Sequence, residues 1–421
     1  MNNFKELYYR TNPWWEKRDF STGIERPKYS KITRDSFSYN QVELLTGGRR
    51  TGKTTLLRQA IKELLKTTPA NEVFYLQADM PGIVDKTITA HVDDFRALFG
   101  HPYDGKIYLF IDEIQCCEGW DREIKSMYDL GFTKIFITGS TSYLIESRGS
   151  SLTGRQRTTN VRPLDYNEYL SFRGLKVSPA ETYLHNKYLE DYMMQGGYPS
   201  VALGAPEGYM EDTIQDIINR DIIRLFRARN SGDLMKILGM TAAGLATRVS
   251  FHRFAKALGS TVKTVKKYAE YFEKAFLVSF LEKYSASLKD RIYSNKKIYL
   301  ADTSIKNLFF LGTDFGARAE NLLFNFLKEN FRRLGYFAAG GREVDFIIET
   351  PDGAVPVESK YVDSLEKDDV RLAGLRLYVK KFRPKRAYVV TRSFEEEFET
   401  GKTAVKAVPL WKVLTGQVLI K

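Results

Sequence analysis

The chain has 421 residues, a formal net charge of +12 and 13% aromatic content. That length suggests two to four domains with sizeable buried cores. No apolar run approaches the ~20 residues that cross a bilayer, and Met1 to Lys17 lacks a signal-peptide pattern. Cys116 and Cys117 are adjacent and the four histidines are scattered, which excludes a disulfide framework and a zinc spacing and leads us to expect a cytoplasmic protein with no membrane partner.

Residues 1–30 read as an N-terminal arm marked by Asn12-Pro13-Trp14-Trp15. The paired tryptophans pack either onto the adjoining core or beside an adenine ring. Val42 to Thr46 then predicts a short buried strand, and Leu56, Leu57, Ala60, Ile61, Leu64 and Leu65 recur at helical spacing. Between them, Gly47-Gly48-Arg49-Arg50-Thr51-Gly52-Lys53-Thr54 fits G-x-x-x-x-G-K-[ST], a loop whose amides surround a β-phosphate. Lys53 is placed to reach the β- and γ-oxygens and Thr54 to ligate Mg²⁺, with Thr55 on the first turn of the helix. The expected ligands are ATP and Mg²⁺, although the loop alone does not separate ATP from GTP.

The apolar run Ile107 to Ile111 predicts a strand covered on both faces, and it ends in Asp112-Glu113. Asp112 is the candidate for Mg²⁺ and Glu113 for orienting the attacking water. A further strand, Lys134 to Ile137, leads into Thr138-Gly139-Ser140, with Ser140 the candidate contact to the γ-phosphate. Glycine loop, acidic pair and polar strand end, in that order, resemble the AAA+ ATPases. The resemblance implies an arginine finger before the fifth core strand. Arg155, in Thr153-Gly154-Arg155, is the first candidate and Arg148 the second, ahead of a strand expected over Arg157 to Leu164. A finger acting in trans implies a homo-oligomer.

After Pro163 the pattern turns helical, with helices expected from Asp165 to Phe172, from Tyr183 to Met194 and from Glu211 to Arg229, broken by Gly196-Gly197-Tyr198-Pro199. From Ser250, one helix face (Phe251, Phe254, Ala255, Leu258), a Gly259-Ser260 turn and a second face (Val262, Val265, Tyr268, Ala269, Phe272) make a helix-turn-helix pattern. Lys263, Thr264, Lys266 and Lys267 are the candidate DNA-binding residues, with Leu277 to Tyr284 as a wing strand. The positive net charge favours a nucleic-acid partner through counterion release, with DNA expected over RNA.

Glu343 to Glu349, the Pro351-Asp352-Gly353 turn and Val355 to Lys360 predict a hairpin whose opposed residue numbers sum to about 703 to 705, setting Asp345 against Glu358 to Lys360. Glu358 and Lys360 share a face. Upstream, Ala319-Glu320-Asn321 is expected to open an apolar helix that aims Glu320 at the same spot. Glu320, Asp345 and Glu358 are candidate metal ligands and Lys360 a candidate catalytic lysine for Mg²⁺-dependent phosphodiester cleavage.

This last set resembles the D…(D/E)-x-K signature of restriction-endonuclease-like domains. Over nearly its whole length the chain resembles the archaeal and bacterial AAA+ ATPases fused to a C-terminal winged helix and a restriction-endonuclease-like domain (DUF4143-type). Beyond the motifs already quoted, that likeness rests on Gly196 to Pro199 and on Tyr299-Leu300-Ala301-Asp302. It implies an α/β architecture: a P-loop AAA+ core with a parallel sheet over residues 31–165, a helical lid over 166–235, a winged helix over 236–300 and a C-terminal α/β domain over 301–421. The expected activity is ATP hydrolysis directed at nucleic acid, with a candidate nuclease. The alternative is a nucleotide-driven switch whose C-terminal domain binds without cutting.

Overall fold

The computed structural model describes residues 2–141, 152–224, 228, 231–366 and 368–421. They fall into two compact units, Met1–Arg162 and Pro163–Lys421. Arg148 and the end of the helix expected over Glu211 to Arg229 lie outside the described residues, apart from Ala228.

The first unit is built on five parallel strands: β1 (Val42–Thr46), β2 (Val73–Gln77), β3 (Ile107–Asp112), β4 (Thr133–Gly139) and β5 (Gln156–Asn160). Their order is β2-β3-β4-β1-β5. Helices α1 (Asn2–Thr11), α2 (Pro27–Ser36), α3 (Lys53–Leu64), α4 (Ile88–Phe99) and α5 (Trp120–Leu130) complete it. Alternation along β1 sends neighbouring leucines to different cores. Leu45 packs with Leu56, Leu57, Ile61 and Phe110 of α3 and β3, and Leu44 packs with Phe95, Ile124 and Ile137. Burial on both sides is why β1 reads as an unbroken apolar run.

Of the two placements open to the tryptophans, the structure takes the core. The indole N–H groups of Trp14 and Trp15 both donate to the Val73 carbonyl, at 3.2 and 3.0 Å, and the Trp15 ring stacks on Phe95. At the start of the glycine loop, a Cβ on Gly47 would lie 2.1 Å from the Val161 carbonyl oxygen, while Val161 N donates to Thr46 O at 2.6 Å.

In the second unit, α6 (Tyr166–Phe172) opens with a capping box between Asp165 and Glu168. It is followed by α7 (Leu184–Gln195) and α8 (Tyr209–Asp216). Beyond α8 the chain widens into a π-helix, Ile217–Ile223, which keeps Ile217, Ile218 and Ile222 buried. After α9 (Ser231–Ala243) come β6 (Arg248–Val249), α10 (Phe251–Leu258), α11 (Val262–Lys274), β7 (Val278–Leu281) and β8 (Lys296–Leu300). The three strands pair antiparallel in the order β6-β8-β7.

The rest of the unit holds α12 (Phe315–Asn330) and a six-stranded sheet. Its strands are β9 (Leu334–Ala339), β10 (Arg342–Thr350), β11 (Gly353–Lys360), β12 (Arg386–Thr391), β13 (Glu396–Thr400) and β14 (Thr403–Pro409), in the order β13-β14-β12-β11-β10-β9. The β10–β11 hairpin has the expected register, with Phe346 opposite Val357 and Thr350 opposite Gly353. β11 pairs parallel with β12 through a crossover that contains α13 (Ala373–Phe382). Gly374 sits where that helix meets β10: a Cβ there would fall 1.7 Å from the Glu343 carbonyl oxygen. The helix carrying Glu320 begins at Phe315, not at Ala319, because the Asp314 side chain caps it.

Candidate functional site

Two clusters of charged side chains lie at the ends of buried strands, one in each unit. In the first unit the glycine loop leaves β1 and enters α3. Lys53, 4% exposed, donates to the carbonyls of Gly47 and Gly48 at 3.0 and 2.8 Å. Thr51 Oγ1 donates to Gly48 O at 2.8 Å, and Arg26 donates to the carbonyls of Thr51 and Arg162, both at 3.0 Å. Arg50 turns the loop at φ +63°.

At the end of β3, Thr54 Oγ1 donates to Asp112 Oδ2 at 2.6 Å and Tyr75 OH to the same oxygen at 3.1 Å. Thr138 Oγ1 donates to Asp112 Oδ1. Burial pushes the Asp112 carboxyl up, against the hydrogen bonds from Thr138 and Thr54 that favour its charged form. Glu113 stands at φ +55°, with its N–H on Thr138 Oγ1 at 3.0 Å. The Gln115 amide donates to Glu113 Oε2 and, at 3.0 Å, to Ser140 Oγ. The strands thus bring Lys53, Thr54, Asp112, Glu113 and Ser140 together through direct or one-residue links.

The donor set suits a magnesium nucleotide. Thr54 and Asp112 offer adjacent hard oxygens, the ligands Mg²⁺ takes. Two buried polar atoms on the neighbouring loops, Gln115 Oε1 and Thr141 Oγ1, have no hydrogen-bond partner among the described residues; the Thr141 hydroxyl is able to donate to a phosphate, whereas the Gln115 oxygen accepts only and takes a donor such as water. Arg155 lies elsewhere: its Nε donates to Asp129 Oδ1 of α5 at 3.0 Å, in an exposed pair.

In the second unit the β10–β11 hairpin aligns Asp345 with Glu358. Asp345 N donates to Glu358 Oε2 at 3.2 Å, and Ser359 N to Asp345 Oδ2 at 2.9 Å. Lys360 Nζ is 2.6 Å from Glu358 Oε1 and 3.7 Å from Asp345 Oδ2. From α12, Glu320 reaches the same cluster, as the sequence pattern anticipated. The residue at its centre, however, is one that the sequence reading passed over. Lys297 Nζ lies 2.6 Å from Glu320 Oε1, 2.8 Å from Glu343 Oε1 and 3.0 Å from Asp345 Oδ1. Tyr299 OH adds a bond to Glu320 Oε1 at 2.8 Å, and Arg248 holds Glu343 Oε2 at 2.9 Å.

Burial opposes the charge on Lys297, but Asp345, Glu320 and Glu343 overcome it and hold the ammonium well above its usual range. Burial pushes Glu320 and Glu358 up, reinforced by the Asp345 charge. Burial would also push Asp345 up, but the ammonium groups of Lys297 and Lys360 outweigh it and keep that carboxyl low. Among the described residues, no group of three or more His, Cys, Asp or Glu side chains is arranged to hold a metal ion.

On α11, Lys263, Lys266 and Lys267 are exposed. Thr264 is partly buried in the cap, its N–H donating to Thr261 Oγ1 at 3.1 Å. Sequence reasoning also missed Tyr75 and Gln115 as polar partners of the first cluster. A tyrosine within Val73-Phe74-Tyr75-Leu76 and a lysine within Lys297-Ile298-Tyr299-Leu300 were the available signals. Each is a polar group inside an apolar strand.

The five-stranded parallel sheet and glycine loop fit a P-loop AAA+ core. Residues 39–170 match the family model described as AAA domain. Residues 186–314 match a second model, described as a domain of unknown function (DUF8612), where the resemblance had implied the DUF4143 type. An uncharacterized protein of Methanocaldococcus jannaschii, MJ1544, is 28% identical over 73% of this chain and 72% of its own length. An uncharacterized protein of Haemophilus influenzae is 25% identical over 75% of this chain and 82% of its own. Among solved structures, the Walker-type ATPase PABY2304 of Pyrococcus abyssi covers 68% of this chain and 95% of itself, at 17% identity and a TM-score of 0.43. No helix among the described residues is long and apolar enough to cross a membrane.

Proposed function

We propose that the chain binds and hydrolyses ATP with Mg²⁺ and directs that cycle at nucleic acid. The observation that carries this reading is the convergence of Lys53, Thr54, Asp112 and Glu113 at the strand ends of a P-loop sheet, with Thr54 Oγ1 2.6 Å from Asp112 Oδ2. In this reading the backbone of Gly47 to Thr55 and the Lys53 ammonium grip the phosphates, and Thr54 and Asp112 hold the ion. Magnesium, when bound, neutralises charge on the phosphates. Glu113 orients and polarises water, and Ser140 contacts the terminal phosphate. Wild-type protein is expected to release phosphate from ATP. Glu113→Gln is expected to retain nucleotide binding by calorimetry and to lose about 10²–10⁴-fold in turnover. Wild-type turnover in that variant defeats the assignment.

Residues 166–235 act as a lid and residues 236–300 as a winged helix, a reading supported by α10, the Gly259-Ser260 turn, α11 and the antiparallel β7–β8 pair. Exposed Lys263, Lys266 and Lys267 face DNA phosphates. Reversing Lys263 and Lys267 to Glu is expected to weaken DNA binding uniformly across sequences and to flatten the log affinity–log salt slope by about 2; an unchanged slope removes DNA from α11. Arg155 serves as a finger across a homo-oligomer, in which case ATPase rate per protomer rises with protein concentration.

Residues 301–421 form a restriction-endonuclease-like domain, for which cutting and non-cutting readings compete. Incubating protein and Mg²⁺ or Mn²⁺ with plasmid and single-stranded DNA, with and without ATP and alongside Lys360→Ala, separates them. The buried ion pairs of Lys297 favour the non-cutting reading.

A further inference from the structure

We propose that Lys297 is the resident cation of the C-terminal carboxylate cluster. Its ammonium stands where a divalent ion would have to sit, and the cluster does not assemble a metal-dependent cutting centre. The inference rests on reading residues 301–421 as a nuclease-like domain, and is independent of the ATPase assignment.

Donor counting carries it first. An ammonium has three N–H donors and accepts nothing. Lys297 Nζ has three carboxylate oxygens at 2.6, 2.8 and 3.0 Å, one each from Glu320, Glu343 and Asp345, the last as a hydrogen bond, so it has as many anionic partners as donors. These distances suit N–H···O bonds, whereas Mg²⁺ requires oxygens at about 2.0–2.1 Å in near-octahedral geometry. Lys297 is wholly buried, and a buried ammonium persists only where paired charges replace its hydration.

Further oxygens of Asp345 and Glu358 are engaged as well. Asp345 Oδ2 accepts from Ser359 N at 2.9 Å, Glu358 Oε1 pairs with Lys360 at 2.6 Å, and Glu358 Oε2 accepts from Asp345 N at 3.2 Å. A metal ion would have to displace Lys297 to reach Glu320 and Asp345 together.

The origin of the lysine gives the arrangement a second consequence. Lys297 stands on β8, the middle strand of the sheet that follows the helix-turn-helix pair, in register with Arg248 of β6. Arg248 takes the other oxygen of Glu343 at 2.9 Å. Two cations of the three-stranded sheet therefore clasp carboxylates of α12 and β10. The cluster serves as a joint that holds the helix-turn-helix segment to the C-terminal sheet.

The test is Mn²⁺ titration of the full chain without nucleotide, read by electron paramagnetic resonance, on wild type, Asp345→Asn, Lys297→Gln and Lys297→Gln combined with Asp345→Asn. Wild type and Asp345→Asn are expected to give superimposable curves. Lys297→Gln is expected to gain one Mn²⁺ at least tenfold tighter than any wild-type site, and Asp345→Asn is expected to abolish that gain. A wild-type Mn²⁺ site lost in Asp345→Asn overturns the proposal, and this arm stands even if Lys297→Gln does not fold. A folded Lys297→Gln with no added site also overturns it. Plasmid cutting by wild type that disappears in Lys360→Ala overturns it while leaving ATP hydrolysis in the first unit untouched.

Discussion

The two charged clusters invert each other. At the glycine loop, a buried lysine rests on backbone carbonyls at 3.0 and 2.8 Å, neutral partners that a phosphate readily outcompetes, and Gln115 Oε1 and Thr141 Oγ1 have no hydrogen-bond partner among the described residues. At the hairpin, a buried lysine rests on three carboxylates, one for each of its donors in number. The same side chain is poised for a ligand in one environment and serves as the ligand in the other. The sign and number of its neighbours decide which, because a charged acceptor binds an ammonium far more strongly than a carbonyl does.

The largest expected effect that sharpens this contrast is on stability. Lys297→Ala leaves the buried Asp345 and the partly exposed Glu320 and Glu343 without their shared cation and is expected to destabilise the second unit by about 3–5 kcal/mol, measured by urea unfolding. A loss below about 1 kcal/mol would mean that the cluster is wetter and looser than its geometry. Next comes Thr138→Val, which removes a donor to Asp112 and the acceptor of the Glu113 N–H. It should cost about 1–3 kcal/mol in the first unit. Glu113→Gln should change stability by less than about 0.5 kcal/mol while stopping turnover. That split between fold and chemistry is the signature of a site held open, and an equal loss of both would erase the contrast. Smallest is Arg155→Ala, expected to leave the urea midpoint unchanged because its pair with Asp129 is exposed. It should also remove any concentration dependence of the ATPase rate.

The first cluster was legible because its chemistry is local. Eight consecutive residues make the loop, and Asp112-Glu113 closes a strand whose apolar run announces it. The β10–β11 hairpin was legible for the same reason: a short turn sets the register that brings Asp345 to Glu358. The lysine at the second cluster was not, since 48 residues of chain separate Lys297 from Asp345 and only the three-dimensional packing of β8 against the sheet joins them. Tyr75 and the Gln115 contact to Ser140 stayed hidden in the same way, since each joins residues of different elements. The widening of α8 into a π-helix at Ile217 also had no local sign, because the isoleucine stripe that predicts a helix there is kept buried by either winding.

The contact between Gly47 and the Val161 carbonyl alters how the glycine loop should be dissected. That glycine is bare because a neighbouring strand crowds it, so Gly47→Ala would wedge β1 from β5 before any nucleotide arrived. An inactive Gly47 variant would therefore report a broken scaffold; at Gly52 a methyl group meets nothing, but its φ of +98° strains any side chain, so phosphate recognition is read from Lys53 and Thr54 instead.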